Sequence, residues 1–242
     1  MVVSISSHAI APAVVLRGEG AWAEALSKIS ALCARPLLLG RSQATSSLRA
    51  GLASDLVHSG LAPQPAELSY DCCEEDLQRL AAEAADCDAV LAAGGGKVLD
   101  AGKLLAHRLQ LPCITVPLSA ATCAGWTALS NLYSTHGAFQ GDVALARCPE
   151  LLVFDHGLVR QAPARTLASG IADALAKWYE ASVSSGNSSD GLVQQAVQMA
   201  RVLRDQLMRE GTLALQDPHS AAWAGTAEAC GLHAGVRGGR GG

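Results

Sequence analysis

Short apolar runs alternate with longer amphipathic stretches over the first 155 residues of the chain. Runs of about four to eight apolar residues are typical of buried strands, and apolar positions three or four apart are typical of helices. Their alternation predicts parallel βαβ units. The predicted strands are Ala13–Arg17, Pro36–Leu39, Glu67–Tyr70, Asp88–Ala93, Cys113–Val116 and Leu151–Asp155, and the predicted helices are Trp22–Cys33, Gln43–His58, Glu74–Ala85 and Val98–Leu109.

The pattern changes in the second half of the chain. Leu129–Tyr133 and Asp142–Ala146 flank a glycine-containing turn and are predicted to pair as a hairpin. From Pro163 onward the spacing is helical, and the predicted helices are Arg165–Ser182, Leu192–Arg209 and Ala221–Leu232. We therefore predict an α/β domain over residues 1–160 and an all-α domain over residues 161–242.

Three consecutive glycines, Gly94–Gly96, join a predicted buried strand directly to a predicted helix. Glycine lets the backbone turn sharply and lie close to a ligand, and a helix N-terminus presents free N–H groups with a positive dipole end. The combination suits a pyrophosphate, to which Lys97 adds a cation, and Asp100 follows one helical turn later. On these residues alone, a turn without a ligand is an equal alternative, since the pattern is neither G-x-G-x-x-G nor a Walker loop.

Composition removes several classes of function. The 242 residues are 50% hydrophobic and 17% charged, with a formal net charge of −4, so nothing indicates a basic surface for nucleic acid. No run reaches the roughly 18 apolar residues of a membrane span, and the N-terminus has no export signal, so a cytoplasmic location is expected. The eight cysteines include no C-x-x-C pair, which favours free, packed thiols over structural zinc or disulfides.

Four segments in order, over most of residues 10–185, resemble the iron-containing alcohol dehydrogenase superfamily. The glycine segment is similar to its G-G-G-K-x-x-D-x-x-K loop, and Val116–Ala124, continued by Ala128–Tyr133, resembles its second phosphate and nicotinamide loop. Ala162–Arg165 and Gly170–Ala181 are similar to the glycerol dehydrogenase signature. The resemblance implies a Rossmann-like parallel-sheet domain followed by an all-α domain that is incomplete here, the dehydroquinate-synthase-like fold.

The resemblance also implies a cofactor site. NAD or NADP would lie in the cleft between the two domains and exchange a hydride with a small alcohol or its carbonyl. The residues expected around its pyrophosphate are Gly94, Gly95, Gly96, Lys97 and Asp100. Those expected along its ribose and nicotinamide are Thr122, Thr127, Leu129 and Tyr133.

Asp173 corresponds to an aspartate ligand of the family's zinc or iron ion, which would bind the substrate oxygen. From the helical pattern alone, the favoured interpretation of Asp173 is instead a solvent-facing acid paired with Lys177 at i+4. In relatives, an A-H-x-x-H-N type segment and a later histidine supply further ligands, and this sequence ends at Gly242 before either. None of the seven histidines takes their place on sequence grounds, although rearrangement of His219 or His233 is left open.

Two positions depart from the glycerol dehydrogenase pattern. Gly40-Arg41 stands where relatives carry Gly-Asp, whose carboxylate accepts hydrogen bonds from the adenosine ribose. Arg41 removes that carboxylate and can pair with a 2′-phosphate, so a relative preference for NADP(H) is predicted; the alternative is an exposed arginine without a role. Cys123 falls at the glycerol-contacting aspartate of the family, so glycerol itself is not the expected substrate.

Two hypotheses about function follow. The first is a metal-dependent, NAD(P)-linked oxidoreductase of a small alcohol or polyol, impaired because metal-binding histidines are missing. The second is a catalytically incompetent NAD(P)-binding fragment. Dehydroquinate-synthase-like or glycerol-1-phosphate-dehydrogenase-like chemistry is a third possibility that the Gly170–Ala181 segment disfavours. A homo-oligomer is left open.

Overall fold

Residues 8–232 are described in the computed structural model, so His233 and the remainder of the predicted C-terminal domain lie outside the described residues. Six strands form one sheet in the order β1-β8-β5-β4-β2-β3, and every neighbouring pair is parallel. The bounds are β1 Val14–Gly18, β2 Pro36–Gly40, β3 Gln64–Glu67, β4 Ala89–Gly94, β5 Cys113–Pro117 and β8 Leu151–Asp155. The predicted parallel α/β class is therefore confirmed.

Helices cover both faces of the sheet, which is why β2, β4, β5 and β8 are buried along their whole length and largely apolar. Successive residues of β2 point to opposite faces. Leu37 and Leu39 pack with α3 (Glu74–Glu83) and α4 (Gly96–Leu109). Leu38, between them, packs with α1 (Ala21–Leu32) and α2 (Ser46–His58).

Strand β3 lies three residues earlier than the predicted Glu67–Tyr70, so that prediction is wrong. β3 contains Pro65 and pairs only with β2. An edge strand tolerates proline because the missing N–H is not needed for a second ladder. β3 has few apolar residues, so a prediction based on apolar runs placed the strand in the more apolar segment that follows it.

The predicted hairpin is confirmed, but its second strand begins three residues earlier and ends two residues earlier than the predicted Asp142–Ala146. β6 (Leu129–Tyr133) pairs antiparallel with β7 (Phe139–Ala144), outside the main sheet. β6 lies against α4, where the Ser130 hydroxyl donates a hydrogen bond to the Asp100 carbonyl at 3.0 Å. The hairpin is thereby held beside the helix that follows the glycine turn.

A helical region follows the sheet, as predicted, and comprises α5 (His156–Val159), α6 (Ala164–Ser185), α7 (Gly191–Gln216) and α8 (Ala221–Gly231). Asp190 and Ser220 cap α7 and α8 by accepting hydrogen bonds from backbone N–H groups of the first turn. Phe154 at the end of β8 is packed in the same apolar cluster as the three long helices. Within residues 8–232, no helix combines the length and the apolar character that a membrane span needs.

All eight cysteines are free thiols and seven of them are buried, which confirms the expectation of packed thiols. Cys113 lies in β5, and burial raises the pKa of its thiol to about 12. Such thiols remain protonated and behave as small apolar side chains.

Candidate nucleotide-binding site

The three glycines form a bare turn between β4 and α4. The strand ends at Gly94, and Gly95 occupies the helix N-cap, where its carbonyl accepts hydrogen bonds from the N–H groups of Val98 and Leu99 at 3.0 and 3.1 Å. A Cβ atom on Gly94 would lie 2.8 Å from the Val98 side chain. With no side chain on the cap residue, the first N–H groups of α4 are left for an anion.

The loop after β5 forms one wall of this turn. The Leu118 N–H donates to the Gly94 carbonyl at 3.0 Å, which ties the loop to the end of β4. Thr122 lies so close that a Cβ atom on Gly96 would be 2.8 Å from its methyl group. Of the residues expected along the ribose and nicotinamide, Thr122 is therefore the one placed directly against the glycines.

Asp100, Thr127 and Leu129 meet behind the turn through Lys103. The Lys103 ammonium donates to the Thr127 carbonyl at 3.1 Å and to the Leu129 carbonyl, and lies 3.1 Å from Asp100 Oδ1. Asp100 and Lys103 are both buried. Burial raises the pKa of the Asp100 carboxyl above its ordinary value, although Lys103 and a backbone N–H of Asn131 act in the opposite direction.

This network holds β6 and the preceding loop against α4. The Asp100 carboxylate is accordingly directed toward Lys103, and contact of this carboxylate with a pyrophosphate stays a prediction. Lys103 was not among the predicted site residues. Two signals for Lys103 were available: it is the final lysine of the segment similar to G-G-G-K-x-x-D-x-x-K, and it lies at i+3 from Asp100, a spacing that is common on exposed helix faces as well.

A charged corner lies on the other side of the turn, built from the ends of three adjacent strands. Arg41 follows β2, Lys97 follows β4 and Asp71 lies four residues beyond β3. Arg41 Nη1 binds Asp71 Oδ1 and Lys97 Nζ binds Asp71 Oδ2. Asp71 is 9% exposed, whereas Arg41 and Lys97 are 38% and 48% exposed. The carboxylate thus lies beneath two cations that reach the surface.

The pKa of Asp71 reflects this arrangement. Burial by itself raises the pKa, but hydrogen bonds from Lys97 and Arg41 outweigh it, and the pKa of Asp71 lies below its ordinary value. Sequence reasoning missed Asp71, because its partners are 26 and 30 positions away in the chain. Tyr133 joins the same corner, with the Lys97 ammonium 5.1 Å from the centre of its ring.

The backbone of Arg41 is fixed from below by a second arginine. Arg49 is buried, and its Nη1 donates to the Arg41 and Ser42 carbonyls at 2.9 and 3.1 Å. The Thr45 hydroxyl also donates to the Arg41 carbonyl at 2.9 Å. Arg49 packs directly over Gly40, so that a Cβ atom on Gly40 would displace the Arg49 side chain from these contacts. The backbone of Arg41 is therefore held in place by the side chains of Arg49 and Thr45.

Asp173 lies where α6 meets the loop after β5, and it pairs with Lys177 at 2.9 Å. The Lys177 ammonium also lies 3.1 Å from the Cys123 sulfur. Burial alone would lower the pKa of Lys177, but Cys123 and Asp173 raise it above its ordinary value. Within residues 8–232, no three His, Cys, Asp or Glu side chains are grouped so as to hold a metal ion. The described residues therefore do not fit a divalent metal by themselves.

The fold and the glycine turn define a Rossmann-like α/β protein with a helical region after the sheet. Residues 12–156 match the family model described as iron-containing alcohol dehydrogenase. The chain belongs to the iron-containing alcohol dehydrogenase family.

Individual relatives agree with this family. An uncharacterized oxidoreductase of Synechocystis is 48% identical over 98% of this chain and 61% of its own length. A glycerol dehydrogenase of Escherichia coli is 37% identical over 65% of this chain and 45% of its own length. A crystal structure of a probable glycerol dehydrogenase from Sinorhizobium meliloti superposes with a TM-score of 0.82 at 25% identity, covering 94% of this chain and 65% of that one. The chain thus spans less than two thirds of each of these proteins.

Proposed function

We propose that this chain is the cofactor-binding part of an NAD(P)-linked oxidoreductase that interconverts a small alcohol or polyol and its carbonyl. The observation that carries the proposal is the bare Gly94–Gly96 turn at the carboxyl end of a central strand, walled by Thr122. In open parallel sheets, ligands bind outside the carboxyl ends of the strands, and pyrophosphates bind at helix N-termini. The resemblance to named alcohol and polyol dehydrogenases supplies the class of substrate.

In the proposed complex, the backbone of the glycine turn binds the pyrophosphate while Lys97 adds a positive charge. Thr122 lies against Gly96 of the turn and lines the path toward the nicotinamide. Bound NAD(P) supplies the hydride chemistry. Thr127 and Leu129 are held by Lys103 and contribute to the shape of the wall behind the turn.

For the cofactor we propose a preference for NADP(H). Arg41 follows the strand next to the glycine turn, on the side where the adenosine ribose of a dinucleotide lies in such sheets. Its side chain is more than a third exposed, and its backbone carbonyl accepts a hydrogen bond from Arg49. An arginine at this position can pair with the 2′-phosphate that distinguishes NADP from NAD.

Nucleotide binding to the purified chain tests the proposal. We expect NADPH and NADH to bind saturably, as measured by calorimetry or by energy transfer from tryptophan. Gly96→Val places a branched side chain against Thr122 and should weaken both nucleotides by at least about tenfold, the effect of losing one good hydrogen bond to a phosphate. Gly51→Ala, at an open position of α2, is the control that leaves binding unchanged. Absence of binding to the wild-type chain would contradict the proposal.

A second candidate function, an NAD(P)-binding protein without catalysis, is favoured by one observation. The Asp173 carboxylate, which the resemblance assigns to the metal, is engaged in an ion pair with Lys177. Assays with a panel of small alcohols and polyols, with zinc or iron(II) added, separate the two. Turnover supports the oxidoreductase, whereas tight nucleotide binding without turnover supports the second candidate.

A further inference from the structure

We propose that Asp71 is a specificity-determining residue for the cofactor: its carboxylate competes with a 2′-phosphate for Arg41 and Lys97 and so limits the preference for NADP(H). The inference rests on the proposed nucleotide site. It concerns a residue outside the glycine turn and outside all the segments that carry the family resemblance.

The first step is position. β4, β2 and β3 are adjacent in the sheet, and Lys97, Arg41 and Asp71 follow these three strands in the same order. A dinucleotide whose pyrophosphate lies at the end of β4 extends its adenosine ribose over the end of β2. The ribose hydroxyls therefore come close to Arg41, whose guanidinium the Asp71 carboxylate bridges to Lys97.

The second step is charge. Arg41 and Lys97 each place one nitrogen on a different oxygen of the Asp71 carboxylate. Two cations and one anion leave a net charge of +1 where an incoming phosphate would otherwise meet +2. Because Asp71 is largely buried, water screens its charge less than it screens an exposed carboxylate.

The third step is competition. A 2′-phosphate is attracted by the same two cations that Asp71 now pairs with, and both acceptors are anionic. Arg41 and Lys97 keep further N–H groups for the phosphate, but the phosphate reaches them beside the Asp71 carboxylate, and the repulsion between the two anions offsets part of the binding energy. NADH carries an uncharged hydroxyl at this place and is much less affected. Asp71 thus lowers the affinity for NADPH more than the affinity for NADH.

Asp71→Asn keeps the size of the side chain and removes its charge. The measurement is the ratio of the dissociation constants of NADH and NADPH for the full chain, by calorimetry at one salt concentration. We expect the ratio to rise about tenfold in favour of NADPH, the size of one charge-assisted hydrogen bond regained by the phosphate. In the double variant Arg41→Ala, Asp71→Asn, most of this gain should disappear.

Glu67→Gln is the matched control. It removes one carboxylate from the end of β3, but this carboxylate binds Arg49 and not Arg41. A ratio that rises equally in Glu67→Gln would show a general charge effect and overturn the inference. So would an unchanged ratio in a folded Asp71→Asn variant, or a fall in NADPH affinity, which would make Asp71 a residue that positions the cations for phosphate.

The wild-type chain provides a test that does not depend on the folding of a variant. With Asp71 engaged, its preference for NADPH over NADH should stay below roughly a hundredfold, since two fully available charge-assisted bonds would give about that much. A larger preference contradicts the inference while leaving the proposed function intact. Failure of both nucleotides to bind contradicts the proposed function itself, and the inference with it.

Discussion

At the scale of single residues, the glycine turn depends on neighbours in the sequence, whereas the Asp71 ion pairs join three separate segments of the chain. Glycine is needed at positions 94 and 96, where a Cβ atom would lie 2.8 Å from the side chains of Val98 and Thr122, and the strand-to-helix turn that requires it is visible in the neighbouring sequence. Asp71 shows the opposite case. Its partners come from two other loops, and only the order of the strands brings them together. No pattern near Asp71 in the sequence distinguishes it from an exposed acid.

Asp173 is an intermediate case. Its helical spacing from Lys177 favoured an i+4 ion pair, and the resemblance assigned it to a metal. The structure contains the ion pair at 2.9 Å. The role of Asp173 as a metal ligand stays a prediction, because it depends on other ligands that the described residues do not group around it.

The lowered pKa of Asp71 predicts an acid-sensitive contribution to stability. A carboxyl whose pKa is lower in the folded than in the unfolded chain stabilises the fold above its unfolded pKa of about 3.9 and loses this effect as the pH falls through the folded value. We expect the melting temperature of the wild type to fall more steeply below about pH 4 than that of Asp71→Asn.

Thermal unfolding at a series of pH values, followed by circular dichroism, measures this difference. Asp86→Asn is the control, since Asp86 is exposed and its contact with Arg35 is 3.6 Å long. The control should follow the wild-type profile. Identical acid profiles for the wild type and Asp71→Asn would show that the ion pairs of Asp71 add nothing to stability.

At the scale of elements, continuous apolar runs located the central strands to within one or two residues, because such strands are buried on both faces. The predicted position of the edge strand β3 was wrong by three residues. At an edge, the hydrogen bonds to β2 decide which residues form the strand, and the apolar pattern does not. The α7 helix continues to Gln216, beyond the predicted Arg209. Ends of helices were less predictable because capping depends on one or two residues.

The packing of α4 on β4 gives a prediction at this scale. Gly102 lies in the middle of α4, and a methyl group on it would overlap the Cβ atom of Ala92 and lie 3.6 Å from Val90 Cγ1. Gly102→Ala should therefore destabilise the protein by about 1–3 kcal/mol, as overpacking does, despite the better helix propensity of alanine. Gly51→Ala in α2 makes the same chemical change where nothing lies within 4 Å.

Gly51→Ala should stabilise the folded protein by about 0.5–1 kcal/mol, because alanine reduces the conformational entropy of the unfolded chain. Urea denaturation of the two variants measures both effects against the wild type. The contrast in sign is the decisive result. Stabilisation by Gly102→Ala would mean that α4 moves away from the sheet easily, and the close approach would then not fix the glycine turn.

At the scale of the whole molecule, the order of the two regions was predictable from composition, but their connection was not. The division into domains at residue 160 followed from the change of periodicity and stays a prediction. The apolar cluster of α6, α7 and α8 includes Leu152 and Phe154 of β8, so it continues into the sheet. Alternating patterns along single elements contain no information about such a junction.

Phe154 tests whether sheet and helices unfold together. It is fully buried at the junction, and Gly231 of α8 packs so closely that a Cβ atom there would overlap its ring. Phe154→Ala should cost about 3–5 kcal/mol of unfolding free energy. Phe139→Ala is the matched control, since Phe139 lies in β7 and is 61% exposed. Loss of this side chain should change the free energy of unfolding by at most about 0.5 kcal/mol.

Far-ultraviolet circular dichroism and tryptophan fluorescence during urea unfolding report on the two regions at once. Trp22 lies in α1 against the sheet, and Trp178 and Trp223 lie in the helical region. If β8 joins the two regions into one cooperative unit, both signals shift together to lower urea in Phe154→Ala. Two separate transitions, with only the helical one displaced, would establish instead that the helical region is a distinct domain, and that the parallel sheet is stable without its support.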